Sequence, residues 1–276
     1  MAVSGVRPRV QRVWFAQRTE GGGGLRRLAF VSDLHVGSKY GLSPEPETEG
    51  QEELWRSWCE FTAEAMQRQV EVLFVVGDLL HGMNPKERGR GLVTADLNEQ
   101  VDLATKVLET WSWCPKKLLF LGSRYHASME GFYPEQEVCQ RIGGTWCGAL
   151  RFVRVANTPY RVFVTHEVSP WMYQSGALER DLIWAAAAAR FGKIPPVDLV
   201  VQGHVHKFRY LRTAGMHSVT LPAWAMFTPW RPSLMAIARH HPDIGGVFVT
   251  MDDLDIVVEP RLFPTPRTKF EQDLMV

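Results

Sequence analysis

Five apolar runs in this chain stop abruptly at residues able to hold a metal ion, and that recurrence constrains the fold more than any other feature of the sequence. Leu28 to Val31 leads through Ser32 to Asp33-Leu34-His35, and Val72 to Val76 leads to Gly77-Asp78. Lys117 to Leu121 ends in Gly122-Ser123-Arg124-Tyr125-His126, Arg161 to Thr165 ends in His166, and Val197 to Gln202 ends in Gly203-His204-Val205-His206. Runs without polar alternation read as parallel strands buried on both faces, and the carboxyl ends of such strands are where ligands gather in open α/β folds. Each motif alone has an ordinary explanation, since Gly-Asp opens turns and a single histidine on an apolar strand is usually a core or surface residue. Recurrence at five strand ends makes coincidence a poor account. Asp78, closing the most apolar run, becomes the expected centre of a site.

The segments between the runs carry helical spacing. Gln51 to Gln69 puts Leu54, Trp58, Phe61 and Ala65 on one face. Thr94 to Trp111 reads as a helix with Thr94 as its N-cap, Pro134 opens a short helix that Gly143-Gly144 stops, and Ala177 to Phe191 reads as a further helix. Additional strands are expected near Ala149 to Val155 and Tyr160 to Thr165, with a short edge strand over Val10 to Gln17 before the Gly21 to Gly24 joint. Lys207 to Leu262 alternates β-rich runs with turns and predicts a second sheet made of antiparallel strands. With 276 residues, 45% of them hydrophobic, the chain is long enough for one α/β domain spanning 1–276, with its core between residues 25 and 263.

Charge and cysteine usage narrow the setting. The 31 Lys+Arg balance 30 Asp+Glu, so no broad basic field marks the chain for nucleic acid, which is neither required nor excluded. Cys59, Cys114, Cys139 and Cys147 show no CxxC pairing, which fits reduced thiols in a cytoplasmic protein and not a structural zinc. Met1 to Glu20 has no apolar core of signal-peptide length, and no stretch is long enough to span a bilayer. A membrane partner is therefore not expected, and oligomeric state is open.

Asp33, Asp78, His35, His166, His204 and His206 form a mixed oxygen and nitrogen donor set. Such a set suits Mn, Fe, Zn, Ni or Co, and not a Ca or Mg cage. One ion could not use all six comfortably. Two ions about 3.5–4 Å apart could, with Asp78 as the bridging carboxylate, and such a pair clamps the attacking and leaving oxygens of an in-line displacement. Asp33-x-His35 and His204-x-His206 are each spaced by two, so in an extended chain both members project to one side and reach one site.

In this order and at these strand ends, Asp33-Leu34-His35, Gly77-Asp78, His166 and Gly203-His204-Val205-His206 make the chain resemble the calcineurin-like metallophosphoesterases. The resemblance covers Leu28 to Phe208. It implies an α/β fold with a two-sheet β-sandwich core flanked by helices, and two divalent transition-metal ions, manganese foremost. Asp33, His35, Asp78 and His206 would hold one ion, and Asp78, His166 and His204 the other. The family expects Gly-Asn-His at the third motif, whereas this chain has Gly122-Ser123-Arg124-Tyr125-His126. His126 would then take the leaving-group role, and Ser123 or a water would replace the missing amide ligand.

The activity implied is hydrolysis of a phosphoric ester by water bridging the two ions, whose pKa falls to near 7, so that no side-chain nucleophile is needed. Arg124, Tyr125 and His81 are candidates for substrate contact. Trp171, Trp224 and Trp230, in loops after the His166 and His204 runs, are candidates for an aromatic rim that would stack bases. Protein phosphatases of the superfamily carry Gly-Asp-x-Val-Asp-Arg-Gly where this chain has Gly77-Asp78-Leu79-Leu80-His81-Gly82. That motif and the Gly-Ser-x-Tyr-His stretch resemble phage and prophage metallophosphoesterases, which points to a phosphodiesterase or nuclease acting on nucleic acid, single strands included, or on nucleotides. A phosphomonoesterase and a catalytically silent scaffold are the alternatives. His217, His240 and His241 match no motif and read as surface histidines.

Overall fold

The long apolar runs become strands, and their uninterrupted hydrophobicity is explained by what covers them. In a computed structural model, which describes residues 24–84, 89–123, 126, 133–168, 174–213, 215–226 and 241–266, two sheets pack face to face and helices cover their outer surfaces. The first sheet contains β1 (Arg26–Val31), β2 (Val72–Val76), β3 (Lys116–Phe120), β4 (Thr145–Trp146), β10 (Ile244–Met251) and β11 (Ile256–Phe263), in the order β11-β10-β1-β2-β3-β4. The second contains β5 (Leu150–Arg154), β6 (Arg161–Thr165), β7 (Leu199–Gln202), β8 (Arg209–Thr213) and β9 (Met216–Thr220), in the order β5-β6-β7-β9-β8.

Side chains on a strand alternate between faces, and here each face has its own partner. Leu28 and Phe30 of β1 and Phe74 and Val76 of β2 enter the layer between the sheets, meeting Val162, Val164, Leu199 and Val201 of the second sheet. Ala29, Val31, Leu73 and Val75 point the other way, against Leu54, Trp58 and Phe61 of α1 (Glu49–Gln67) and Val101 and Ala104 of α2 (Leu97–Glu109). The second sheet is covered more thinly, with Val200 and Val197 packing on Leu182 of α4 (Gln174–Arg190). The remaining described helix, α3 (Pro134–Arg141), starts at Pro134 as expected and packs Val138 and Cys139 into the α1/α2 side of the core.

β1, β2, β3 and β4 run parallel, as do β6, β7 and β9, so the ends of β1, β2, β3, β6 and β7 deliver their motifs to one edge of the sandwich. Two expectations need correction. The segment after Lys207 makes no sheet of its own: β8 and β9 extend the β6-β7 sheet, while β10 and β11 cross over and close the open side of β1 in antiparallel register, Phe30 opposite Val247. Helix α2 is capped by Asp96, whose carboxylate accepts the Asn98 amide at 2.8 Å, with the Thr94 hydroxyl two residues earlier accepting the Asp96 amide at 3.1 Å. The expected strand at Val10 to Gln17 lies outside the described residues. Among those described, no helix is long and apolar enough to cross a membrane.

Candidate metal centre

The motif residues reach the common edge through an uncommon backbone conformation. Asp33 (φ 55°), His35 (46°), Asp78 (47°), His204 (71°) and His206 (53°) all lie in the left-handed region, with only Gln69 and Asn157 beside them among described non-glycine residues. Asp and His tolerate that region better than most residues, yet each such position costs about 1–3 kcal/mol, and such strain concentrates at functional sites. Asp33 and His35, like His204 and His206, therefore converge through tight left-handed turns and not through the extended geometry that a spacing of two suggests. Backbone bonds hold these turns: Asp33 N–H to the Gly77 carbonyl at 3.1 Å, His35 N–H to Asp78 at 3.0 Å, Trp224 N–H to Asp33 at 3.1 Å and Asp243 N–H to His206 at 2.8 Å.

Glycine is obligatory where these turns meet. A Cβ at Gly122 would stand 2.1 Å from Asp78 Oδ1, and one at Gly203 would stand 2.2 Å from Ser32 Oγ and 2.7 Å from His166 Nδ1. The Gly of each motif is thus a clearance requirement for the carboxylate and imidazole beside it.

Two donor groups result. Asp33, His35 and His206 offer ligand atoms within 4.8 Å of one another, and Asp78, His166 and His204 do likewise. Within the first, His206 Nε2 is 3.1 Å from Asp33 Oδ1 and 3.2 Å from His35 Nε2. In the second, His166 Nε2 is 3.1 Å from Asp78 Oδ2, and the two groups adjoin, with His166 Nε2 only 3.8 Å from Asp33 Oδ1.

The donors are oriented for cations. His166 gives its Nδ1 proton to the Val76 carbonyl at 2.8 Å, which leaves Nε2 as the inward nitrogen. Asp33 holds Oδ2 against the Ser32 hydroxyl (2.7 Å) and the His204 amide (2.9 Å), while its buried Oδ1 has no hydrogen-bond partner; nor has His166 Nε2. A buried carboxylate oxygen and a buried imidazole nitrogen without hydrogen-bond partners, set among two carboxylates and four imidazoles, fit divalent ions bound by mixed oxygen and nitrogen ligands.

Electrostatics agree. Burial alone would raise the Asp33 carboxyl, but His206 and His166 override it and hold it well below the usual carboxylate range. Asp78 is likewise held down against its burial by His166 and His126. Conversely, burial would lower His166, yet the Asp78 and Asp33 carboxylates push it up to about 10, and Asp33 raises His206. Protons on these two histidines neutralise carboxylates that a cation would otherwise face. His35, by contrast, is held neutral by burial and by His126.

At the third motif, Ser123 faces Asp78 through both its donors, the amide N–H to Oδ1 at 2.6 Å and the hydroxyl to Oδ2 at 3.3 Å. His126 gives Nδ1–H to the His81 carbonyl at 2.9 Å, and its Nε2 stands 3.7 Å from Asp78 Oδ2. His81 is buried beside it, with ring centroids 5.1 Å apart. Arg124 and Tyr125, with Trp171, Trp230 and His240, lie outside the described residues. Trp224 is no rim residue: fully buried, it packs edge-on against Trp58 at 5.1 Å between centroids. His217 is not on the surface either, being buried on β9 with Nδ1 2.8 Å from the Tyr210 hydroxyl.

Three supporting residues escaped the sequence reading. Glu135, fully buried in the first turn of α3, accepts the Leu79 amide on Oε1 and the Gly122 amide on Oε2, both at 3.1 Å, and so ties the loops after β2 and β3 together. Burial and the nearby Asp78 charge push its carboxyl up to about 7. Ser32 steadies Asp33, and Asp243 grips the far side of the His206 turn through the Lys207 side chain (3.1 Å) and the Phe208 amide (2.9 Å). A carboxylate early in a helix is ordinary in sequence, so nothing there marked Glu135 as buried.

No family profile matches the sequence, and no curated protein does. Solved structures similar in fold include an archaeal phosphodiesterase (TM-score 0.46, 10% identity, covering 86% of this chain and 99% of that one). Others are Vps29 of Cryptosporidium parvum (TM-score 0.46, 15% identity, 88% and 99% covered) and zinc-complexed Vps29 of Entamoeba histolytica (TM-score 0.41, 13% identity, 86% and 99% covered). The architecture of this chain is itself mixed α/β, with two sheets flanked by helices.

Proposed function

We propose that this protein is a divalent-metal-dependent phosphoesterase that hydrolyses phosphodiesters of nucleic acid or nucleotides. The observation that carries the reading is the meeting of two three-residue donor groups at one sheet edge, with Asp33 Oδ1 and His166 Nε2 buried without hydrogen-bond partners 3.8 Å apart. Asp33, His35 and His206 would hold one ion and Asp78, His166 and His204 the other, with Asp33 Oδ1, 3.8 Å from His166 Nε2, near enough to the second group to be shared. Bound there, such ions supply a water of lowered pKa and positive charge for the phosphoryl oxygens.

The chain's own residues do the rest. Ser123 and Ser32 fix the two carboxylates, and Val76 fixes the His166 tautomer. His126, its Nδ1–H committed to the His81 carbonyl, turns Nε2 to the site, and in its imidazolium form, which burial disfavours and the Asp78 carboxylate favours, Nε2–H can donate to a departing oxygen. Arg124 and Tyr125 are assigned to substrate contact by their place beside His126 in the sequence.

The test compares bis(p-nitrophenyl) phosphate, p-nitrophenyl phosphate and single-stranded DNA as substrates of metal-stripped protein before and after Mn²⁺ addition. Metal-dependent hydrolysis, faster on the diester, is expected. Preference for the monoester would reassign the protein as a phosphomonoesterase, and tight metal binding without turnover on any of the three would leave a scaffold.

A further inference from the structure

His35 belongs to a third donor group as well. His35, His81 and His126 each offer a ring nitrogen, and these atoms lie within 4.8 Å of one another. The ring centroids are 4.4 Å (His35–His126), 5.1 Å (His81–His126) and 5.5 Å (His35–His81) apart. The group contains no carboxylate. We propose that these three histidines form an alternative seat for a nitrogen-preferring ion such as Cu²⁺ or Zn²⁺, one that cannot be filled together with the Asp33–His35–His206 seat.

Exclusivity follows from His35. A neutral imidazole carries one nitrogen lone pair, the other nitrogen bearing the proton, so the ring serves one ion at a time. Selectivity follows from the donors: imidazole suits Cu and Zn, carboxylate suits Mn, and affinity for a nitrogen site rises from Mn²⁺ towards Cu²⁺. The seat is preorganised, since His126 Nδ1–H is fixed on the carbonyl of His81, whose own ring completes the group. An ion placed here would engage the His126 ring and withdraw it from the departing oxygen. Only that last consequence rests on the proposed function; the seat does not.

Cu²⁺ added to the metal-stripped full chain is the probe, followed by pulsed EPR, which counts coordinated imidazoles. The other two donor groups supply two imidazoles each, so a three-imidazole signal is peculiar to this seat. It is expected in the wild type, with one Mn²⁺ displaced per Cu²⁺ when Mn²⁺ is bound beforehand. In His81→Asn the Cu²⁺ affinity should fall about 10–100-fold and the count should drop by one, while Mn²⁺ affinity stays within twofold. His126→Asn should give the same loss, and carries the test should circular dichroism show His81→Asn unfolded. An unchanged copper spectrum in both variants, or Cu²⁺ binding without displacing Mn²⁺, would overturn the proposal. Failure of the wild type to hydrolyse any phosphoester would sink the proposed function and leave these readouts intact.

Discussion

His166 turns its Nε2 to within 3.1 Å of Asp78 Oδ2 because its Nδ1 is committed to the carbonyl of Val76. Asp78→Asn keeps an oxygen for the Ser123 amide and so preserves the turn, but removes the charge beside His166. Turnover should fall by about 10²-fold or more, since several kcal/mol of charge stabilisation are at stake and each 1.36 kcal/mol is tenfold. Metal analysis beside circular dichroism checks it; near-normal rate and stoichiometry in a folded mutant would refute the assignment.

Metal uptake should release protons. His166 is raised to about 10 in the cation-free protein, so at neutral pH a cation must displace its proton. Affinity should climb with pH by about tenfold per unit for each proton released, and calorimetry in buffers of different ionisation enthalpy counts those protons. A histidine raised in the folded state stabilises fully below its unfolded value and loses that contribution as pH rises through its folded value. Stripped protein should therefore lose stability from about pH 6.5 towards pH 10, and His166→Asn should flatten the trend. A melting temperature insensitive to pH over that window would contradict it.

Glu135→Ala should destabilise the protein by about 2–6 kcal/mol, because two buried amides lose their acceptor and each costs about 1–3 kcal/mol. Glu135→Gln should cost less, since its carbonyl oxygen still serves one amide. Urea denaturation measures both, and equal stability of the alanine variant and the wild type would show that the loops after β2 and β3 do not need this tie.

Gly122→Ala and Gly143→Ala form a contrast. A Cβ at Gly122 would collide with the Asp78 carboxylate, whereas one at Gly143 (φ 64°) meets nothing within 4 Å. The first should abolish metal binding to the Asp78–His166–His204 group. The second should cost only left-handed backbone strain of about 1–2 kcal/mol and leave turnover alone, as parallel metal titration and rate assays will report.

His126→Ala should hurt poor leaving groups most. A p-nitrophenolate departs without help, while a sugar alkoxide needs a proton or hydrogen bond worth about 10²–10⁴-fold. The kcat loss on DNA should exceed that on bis(p-nitrophenyl) phosphate. Equal losses with one metal gone would instead make His126 the replacement for the absent motif asparagine.

The donor residues were legible in the sequence because strand ends are marked by a change from apolar to polar, and the motif order supplied the two groups except that Asp78, expected in both, gathers only with His166 and His204. Their backbone was not: a spacing of two looks the same whether extended or wound through two left-handed turns. The fate of β10 was equally hidden, since its apolar residues would suit either sheet and only pairing with β1 across most of the chain decides the matter. Trp224 illustrates a third limit, for a Trp between Pro222 and Pro229 reads as loop, although its ring is fully buried. Glu135 had no signal at all, because its importance is set by two amides from distant loops.

The insertion of β10 beside β1 also fixes an order of events during folding. Every proposed metal ligand, from Asp33 to His206, precedes residues 244–251 in the chain, yet β1 remains an open sheet edge until that strand arrives. The loop to be closed runs from residue 30 to residue 247, and such distant pairings form slowly because chain entropy is lost before contacts compensate for it. During synthesis the ligand-bearing turns would thus emerge well before the strand that braces them, and ions that reach the chain early would meet a half-built sheet with an edge free to pair with other chains.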